Sequence, residues 1–412
     1  MSMDKTPSSE RLHIAIFGKR NVGKSSIINA LTNQDIALVS PHAGTTTDPV
    51  KKAIEILPIG PCLVIDTAGL DDVGDLGKMR VEKSLEVMNK TDIAFVVVED
   101  GFTEFEKDVI SRLNSKNIPF IFVINKIDCC HDVSAIEKSI IEFDTNIPVV
   151  RISAKEKTGI DELKGAIIKY SPKEFGDSRL LGDLISSGDT VILVCPIDTS
   201  APKGRLILPQ VQAIRDVLDS DCISIVTKEH ELRWAINNLK KMPKLVVTDS
   251  QVFSKVSADT PSDVWLTSFS ILMARLKGDL EEMLRGVAAV SHLKPGDKVL
   301  ISEACTHHRQ ADDIGTVKIP RWLVSRVGGE LDFSFSSGTK YPDNLTEFKL
   351  IIHCGACMIN RKEMLYRIYL AKENKIPIVN YGVVIAYLHG IMPRAIEMFP
   401  YLHELYQEIM ND

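Results

Sequence analysis

"LHIAIFGKRNVGKSSIINALTN" (12–33) decides the fold of the N-terminal part. An apolar run, a glycine turn and a second apolar-periodic run follow one another, which predicts strand, loop and helix. Between Gly18 and Ser25 stands G-x-x-x-x-G-K-S. Glycines let the backbone curl until successive N–H groups and a helix N-terminus face one anion. Lys24 adds a cation for β- and γ-phosphates, and Ser25 offers a hydroxyl to Mg²⁺. Gly18, Asn21, Val22, Gly23, Lys24, Ser25 and Ser26 are the candidate phosphate-loop residues.

Four later segments fall in the order that a guanine-nucleotide site requires. "GTTTDP" (44–49) supplies Thr45, Thr46 and Thr47, with Thr46 expected on the Mg²⁺. Asp66 in "LVIDTAGL" (63–70) ends a strand and can hold the Mg²⁺ shell, while Gly69 can offer its N–H to the γ-phosphate. Lys24, Asp66 and Gly69 are therefore the candidate catalytic set. "FVINKID" (122–128) is a strand followed by N-K-x-D. Asp128 can accept two N–H bonds from guanine that adenine cannot supply, and Asn125 and Lys126 brace that loop. "VVRISAKEKTG" (149–159) ends a further strand with Ser153, Ala154 and Lys155, a backbone contact to the guanine oxygen.

These segments resemble the Era/TrmE-like branch of the P-loop GTPases. Leu70 follows "DTAG", where a Ras-type protein carries a water-orienting glutamine. A leucine cannot orient water, so slow hydrolysis is expected. Asn21 matches the asparagine that holds K⁺ beside the phosphates in potassium-activated members of this branch. K⁺ there would supply positive charge to the transition state.

Working outward, the whole chain reads as α/β: an N-terminal P-loop GTPase domain followed by two smaller parallel-sheet α/β domains. The expected boundaries are 1–172, 173–262 and 263–412. The net charge of −6 argues against broad nucleic-acid binding. No apolar run is long enough to span a bilayer, and no signal-peptide core precedes the first strand, so a cytoplasmic protein is expected. In that compartment the eight cysteines read as core thiols plus a metal or catalytic set.

The stretch 170–189 has Pro, Gly and Ser without a helical stripe and reads as a linker. Strands at 190–198, 222–228 and 243–250 then alternate with helices within 200–221 and at 229–242. This alternation predicts a small parallel unit without a catalytic set. Cys195 and Cys222 sit in its apolar strands as core thiols, and the unit itself reads as an assembly surface. The stretch 264–293 predicts a strand and one long helix, and further α/β alternation runs to the end.

Cys305 closes the apolar run "KVLISEAC" (298–305), and His353, Cys354 and Cys357 follow "FKLII" (348–352). Loops at the carboxyl ends of parallel strands share one crevice, so the two groups can converge. With His307 added they could form a Cys₃His zinc site. Three cysteines alone could anchor an iron–sulfur cubane, and C-x-x-C could also be a redox dithiol. Spacing alone does not choose among these. Cys129, Cys130 and His131 read as a surface turn.

The combination resembles the [FeFe]-hydrogenase maturation GTPases over nearly the whole chain. In the last third, "EACTHHRQADDIGTVKIPRWL" (303–323), "IIHCGAC" (351–357) and "IPIVNYGVVIAYLHG" (376–390) carry the resemblance. It implies a [4Fe–4S] cluster on Cys305, Cys354 and Cys357. It also implies a scaffold for a transient diiron precursor, made with two radical-SAM maturases and delivered to the apo-hydrogenase. A homodimer through the middle domain is implied as well, with no nucleic-acid or membrane partner. His307, His353 and Asp312 are candidates for a fourth ligand or for hydrogen bonding around the thiols; His308 is incidental. The competing reading is an RNA- or ribosome-directed GTPase with a structural zinc.

Overall fold

A computed structural model describes residues 6–32, 49–67, 75–129, 132–173, 178–197, 206–304, 313–338, 341–342 and 344–411. Thr45, Thr46, Thr47, Gly69, Leu70, Cys130, His131, Cys305, His307, His308 and Asp312 lie outside the described residues. The chain forms two compact units, Met1–Asp177 and Ser178–Asp412.

The first unit is built on one sheet in the order β2-β3-β1-β4-β5-β6. Its strands are β1 Leu12–Gly18, β2 Val50–Ile56, β3 Gly60–Asp66, β4 Ile93–Val98, β5 Phe120–Ile124 and β6 Val149–Arg151. Only β2 runs antiparallel to its neighbour. Both faces of the sheet are covered, which is why β1 and β4 are buried at every position and carry continuous apolar runs without alternation. The register sets Ile16 beside Asp66, Gly18 beside Val97, and Ile124 beside both Val98 and Arg151. The loops that leave β1, β3, β5 and β6 therefore start from one edge of the sheet. Helix α1, Lys24–Thr32, starts directly behind the first of them.

The second unit contains two four-stranded parallel sheets. One has the order β10-β9-β7-β8, with β7 Thr190–Val194, β8 Ile223–Thr227, β9 Leu245–Thr248 and β10 Trp265–Ser268. The other has the order β12-β11-β13-β14, with β11 Lys298–Glu303, β12 Asp332–Ser337, β13 Leu350–His353 and β14 Ile378–Asn380. One continuous apolar core runs through both.

Several details depart from the sequence reading. The expected boundary at 262/263 would give β10 to the third domain, yet β10 pairs with β9 and completes the middle sheet. The single long helix expected within 264–293 is two, Phe269–Lys277 and Leu280–His292. Gly278 breaks the first, and the Asp279 side chain accepts from the Glu282 N–H to start the second. The helix expected over 229–242 shortens to Leu232–Asn237. The strand expected over 376–382 ends at Asn380, whose side chain caps a helix by accepting from the Val383 N–H. Within the expected linker, Leu180 and Leu181 are buried in the core of the second unit.

Candidate functional site

The phosphate loop is shaped by backbone that ordinary residues avoid. Asn21 has φ +65° and Gly23 φ +92°. A Cβ on Gly23 would strike the Asn125 amide, and one on Gly18 would lie 2.6 Å from the Val97 carbonyl. Glycine is needed at both positions for space, and at Gly23 also for its dihedral. Lys24 Nζ donates to the carbonyls of Gly18 at 2.9 Å and Lys19 at 2.7 Å, which holds the ammonium at the loop. Ser25 Oγ donates to Asp66 Oδ2 at 2.5 Å, so α1 meets the end of β3. Thr67 Oγ1 donates to Ile16 O at 2.6 Å and ties the turn after β3 back to β1.

The donor set fits a Mg²⁺ ion. Asp66 Oδ1 is buried and has no partner among the described residues. Burial lifts this carboxyl above its ordinary pKa, against the Ser25 hydrogen bond and the Lys24 charge. A carboxylate with one buried, orphaned oxygen beside a hydroxyl calls for a hard cation.

Asn125 joins three loops. Its Nδ2 donates to Val22 O at 2.8 Å, and its Oδ1 accepts from the Ala154 N–H at 3.1 Å. One side chain thus connects the phosphate loop, the N-K-x-D loop and the S-A-K turn. Asp128 is held from the same turn: Ser153 Oγ donates to its Oδ1 at 2.6 Å, and this bond lowers its pKa. Lys126 has φ +61° and pairs with Glu99 at 2.7 Å. The sequence reading missed Glu99 and the Ser153–Asp128 bond, because both link segments distant in sequence. Asn21 and Lys155 are exposed, as are Ser25 and Ser26.

At the second sheet, parallel pairing sets Ser302 beside His353. The Cys354 N–H donates to Ser302 O at 2.9 Å. The Ala304 N–H donates to Cys354 Sγ at 3.1 Å. Ala304, which follows β11 and directly precedes Cys305 in sequence, thereby touches a thiol of the C-x-x-C turn. Cys354 and Cys357 are partly buried, and burial pushes the Cys357 thiol up despite the nearby Lys277 charge. Ala356 between them has φ +56°.

His353 is fully buried, and both ring nitrogens are engaged. Arg367 can only donate, so its bond to Nε2 at 3.0 Å makes Nε2 the acceptor. Nδ1–H then donates to Cys354 O at 2.8 Å. Burial and the Arg367 charge lower the imidazole to a pKa of about 3. Of the two roles expected of His353, its contacts are those of hydrogen bonding around the thiols: both ring nitrogens are engaged, and the ring orients the Cys354 backbone. Arg367 also donates to Glu363 at 2.9 Å, its buried ion-pair partner, and to Gly338 O at 2.8 Å. Glu303, buried at the end of β11, accepts from Tyr381 Oη at 3.3 Å. None of Arg367, Glu363, Glu303 and Tyr381 was expected from the sequence. The only available signal was a carboxylate ending the apolar run "KVLISE".

Three family models match the chain. "50S ribosome-binding GTPase" matches 13–126, "Hydrogen maturase F dimerization domain" 180–278 and "Hydrogen maturase F tetramerization domain" 281–398. The tRNA modification GTPase MnmE of Chromobacterium violaceum is 36% identical over 163 residues, 39% of this chain and 35% of that protein. MnmE of Nostoc sp. is 36% identical over 256 residues, 59% of this chain and 51% of that protein. The chain thus spans about a third to a half of the length of these curated relatives. Among solved structures, Aquifex aeolicus Era is 19% identical with a TM-score of 0.36, covering 80% of this chain and 94% of that one. The G domain of the T. maritima FeoB iron transporter is 23% identical with a TM-score of 0.31, covering 39% and 98%.

Proposed function

Because the chain belongs to the hydrogen maturase F family, with a P-loop GTPase domain followed by that family's dimerization and tetramerization domains, we propose that it is a GTP-hydrolysing metallocluster scaffold. Cys305, Cys354 and Cys357 hold a [4Fe–4S] cluster, and the protein carries a diiron precursor to [FeFe]-hydrogenase. The observation that carries this reading is the 3.1 Å bond from the Ala304 N–H to Cys354 Sγ, which brings the end of β11 to the C-x-x-C turn. Thiolate donors suit iron–sulfur, and an N–H···S bond stabilises a thiolate that carries metal. A cluster with three cysteines keeps one iron for a weaker or exchangeable ligand. Asp312 and His307 are the side chains proposed for that position.

The first domain is a P-loop GTPase domain. Ser25, Asp66 and Thr46 are proposed to hold Mg²⁺, Asp128 and Ala154 to read guanine, and Asn21 to hold K⁺. With Leu70 in the position after D-T-A-G, turnover should be slow and should rise when K⁺ replaces Na⁺ at equal ionic strength. Equal rates in the two salts would remove the K⁺ assignment and leave the GTP site standing. The middle domain is proposed as the contact of a homodimer. Its edge strand β8 exposes Ile223 (55%) and Val226 (45%), an unusual load of apolar surface for an unpaired edge.

Anaerobic reconstitution with ferrous iron and sulfide tests the cluster. The expected product is brown, carries about four iron atoms per chain and gives a cubane paramagnetic signal on reduction. Colourless protein with stoichiometric zinc would instead favour a ribosome- or RNA-directed GTPase with a structural metal. The names of the relatives of the first domain point toward that function. No helix among the described residues is long and apolar enough to cross a membrane.

A further inference from the structure

The floor under the C-x-x-C turn comes from outside its own sheet. Helix Phe269–Lys277 starts directly behind β10, the strand that completes the middle sheet, with Ser268 capping it by accepting from the Ile271 N–H. It runs beneath the thiol loop. Gly355 packs on Ser270 and Met273, where even an added Cβ would meet their atoms at 3.6 and 3.8 Å. Ser270 Oγ accepts from the Gly382 N–H at 3.0 Å and from Asn380 Nδ2 at 3.1 Å, which fastens the end of β14 to the same helix.

The last residue of this helix reaches furthest. Lys277 is 5% exposed. Its Nζ donates to Cys357 O at 3.1 Å and to Ile359 O at 2.8 Å. Arg361, just beyond the turn, returns the contact by donating to Leu276 O at 2.8 Å and Gly278 O at 3.1 Å. Ala356, inside the same turn, holds a left-handed φ that a non-glycine residue keeps only when its surroundings enforce it, and Lys277 holds the carbonyl of the residue that follows it. The ammonium thus lies at the backbone of a thiol residue, 3.1 Å from Cys357 O.

We propose that Lys277, supplied by the last helix of the middle domain, is a positioning residue that fixes the Cys354–Cys357 turn and places a fixed positive charge beside the bound cluster. Three thiolates outweigh the positive charge of a cubane core, and one-electron reduction adds a further negative charge. A buried cation nearby favours that reduced state. The turn that carries the thiols is thereby tied to the domain proposed to carry the dimer contact. The electrostatic half rests on the cluster reading of the three cysteines; the positional half does not.

The test uses the full chain and the variants Lys277→Met and Lys277→Gln. Methionine keeps the stem and loses the donors and the charge, while glutamine keeps donors and loses the charge. Without iron, amides 354–360 of the Met variant should exchange with deuterium about tenfold faster than in the unaltered chain. After reconstitution with ferrous iron and sulfide, both variants should show a lowered midpoint potential, followed by paramagnetic resonance. At a fixed potential the ratio of reduced to oxidised cluster should fall about tenfold, which is 59 mV for one electron. Unchanged exchange in the Met variant overturns the positional role, and an unchanged potential in the Gln variant overturns the electrostatic one. If the unaltered chain takes up no iron, the cluster reading fails, and deuterium exchange still decides whether Lys277 holds the turn. If the Met variant does not fold, the Gln variant decides: near-native exchange with a lowered potential supports the proposal, and a native potential overturns it.

Discussion

Single residues in the first unit show how environment sets chemistry. Ser153 donates to Asp128 and lowers its pKa, which favours the charged acceptor that guanine needs. Replacing Asp128 with Asn turns one acceptor into a donor facing guanine N–H groups. GTP-over-ATP discrimination should fall by about tenfold or more, and xanthosine triphosphate, which carries a carbonyl in place of the guanine 2-amino group, should bind better. Equilibrium binding of the three nucleotides checks this; unaltered GTP preference would refute the base-reading assignment. His13 has a different, structural consequence. It is buried on β1 with its ring nitrogens 3.0 Å from Lys90 O and 2.8 Å from Ser8 O. Burial outweighs those carbonyls and lowers its pKa from 6.5 to about 4. The unfolded chain then binds more protons than the folded one between these values. The His13 contribution is fully present above pH 6.5 and is lost as the pH falls toward 4. The slope is at most about 1.4 kcal/mol per pH unit. Deuterium exchange of β1 and β4 amides should report it, and His13→Asn should flatten it.

At the scale of elements, close approach decides more than propensity. Gly286 lies inside helix Leu280–His292, where alanine would ordinarily help by about 1 kcal/mol. A Cβ here would collide with the Ile378 backbone, because the helix lies directly on β14. The strand carbonyl cannot give way without disturbing the sheet. Gly286→Ala should therefore destabilise the second unit by about 1–3 kcal/mol. Urea unfolding of the full chain should show an earlier transition for that unit, and a later one would mean that the helix can lift off β14. Element boundaries were the least legible part of the sequence for a related reason. The break at Gly278 and Asp279 sits in an apolar-periodic stretch that continues on both sides, and the β10 pairing with β9 is a contact that spacing does not encode.

At the scale of the whole molecule, the chain divides into two compact units, one with the nucleotide residues and one with the thiols. Each has its own buried core. Cys354→Ala should therefore remove stable iron binding while GTP hydrolysis stays within about twofold of the unaltered chain. A parallel loss of hydrolysis would show that the nucleotide site depends on the loaded thiol site. Which parts were legible follows from the range of the interactions involved. The phosphate loop, N-K-x-D and C-x-x-C are short motifs, because backbone curvature and donor spacing are set within a few residues. The sequence by itself thus determined the α/β class, the nucleotide chemistry and the thiol-bearing strand ends. The tertiary structure alone decided what surrounds them. Asn125 links three loops, Arg367 takes the lone pair of His353, and Lys277 reaches beneath Cys357. Those side chains act across separations that no local pattern records, since sheet register and helix packing bring them together only once the core has formed.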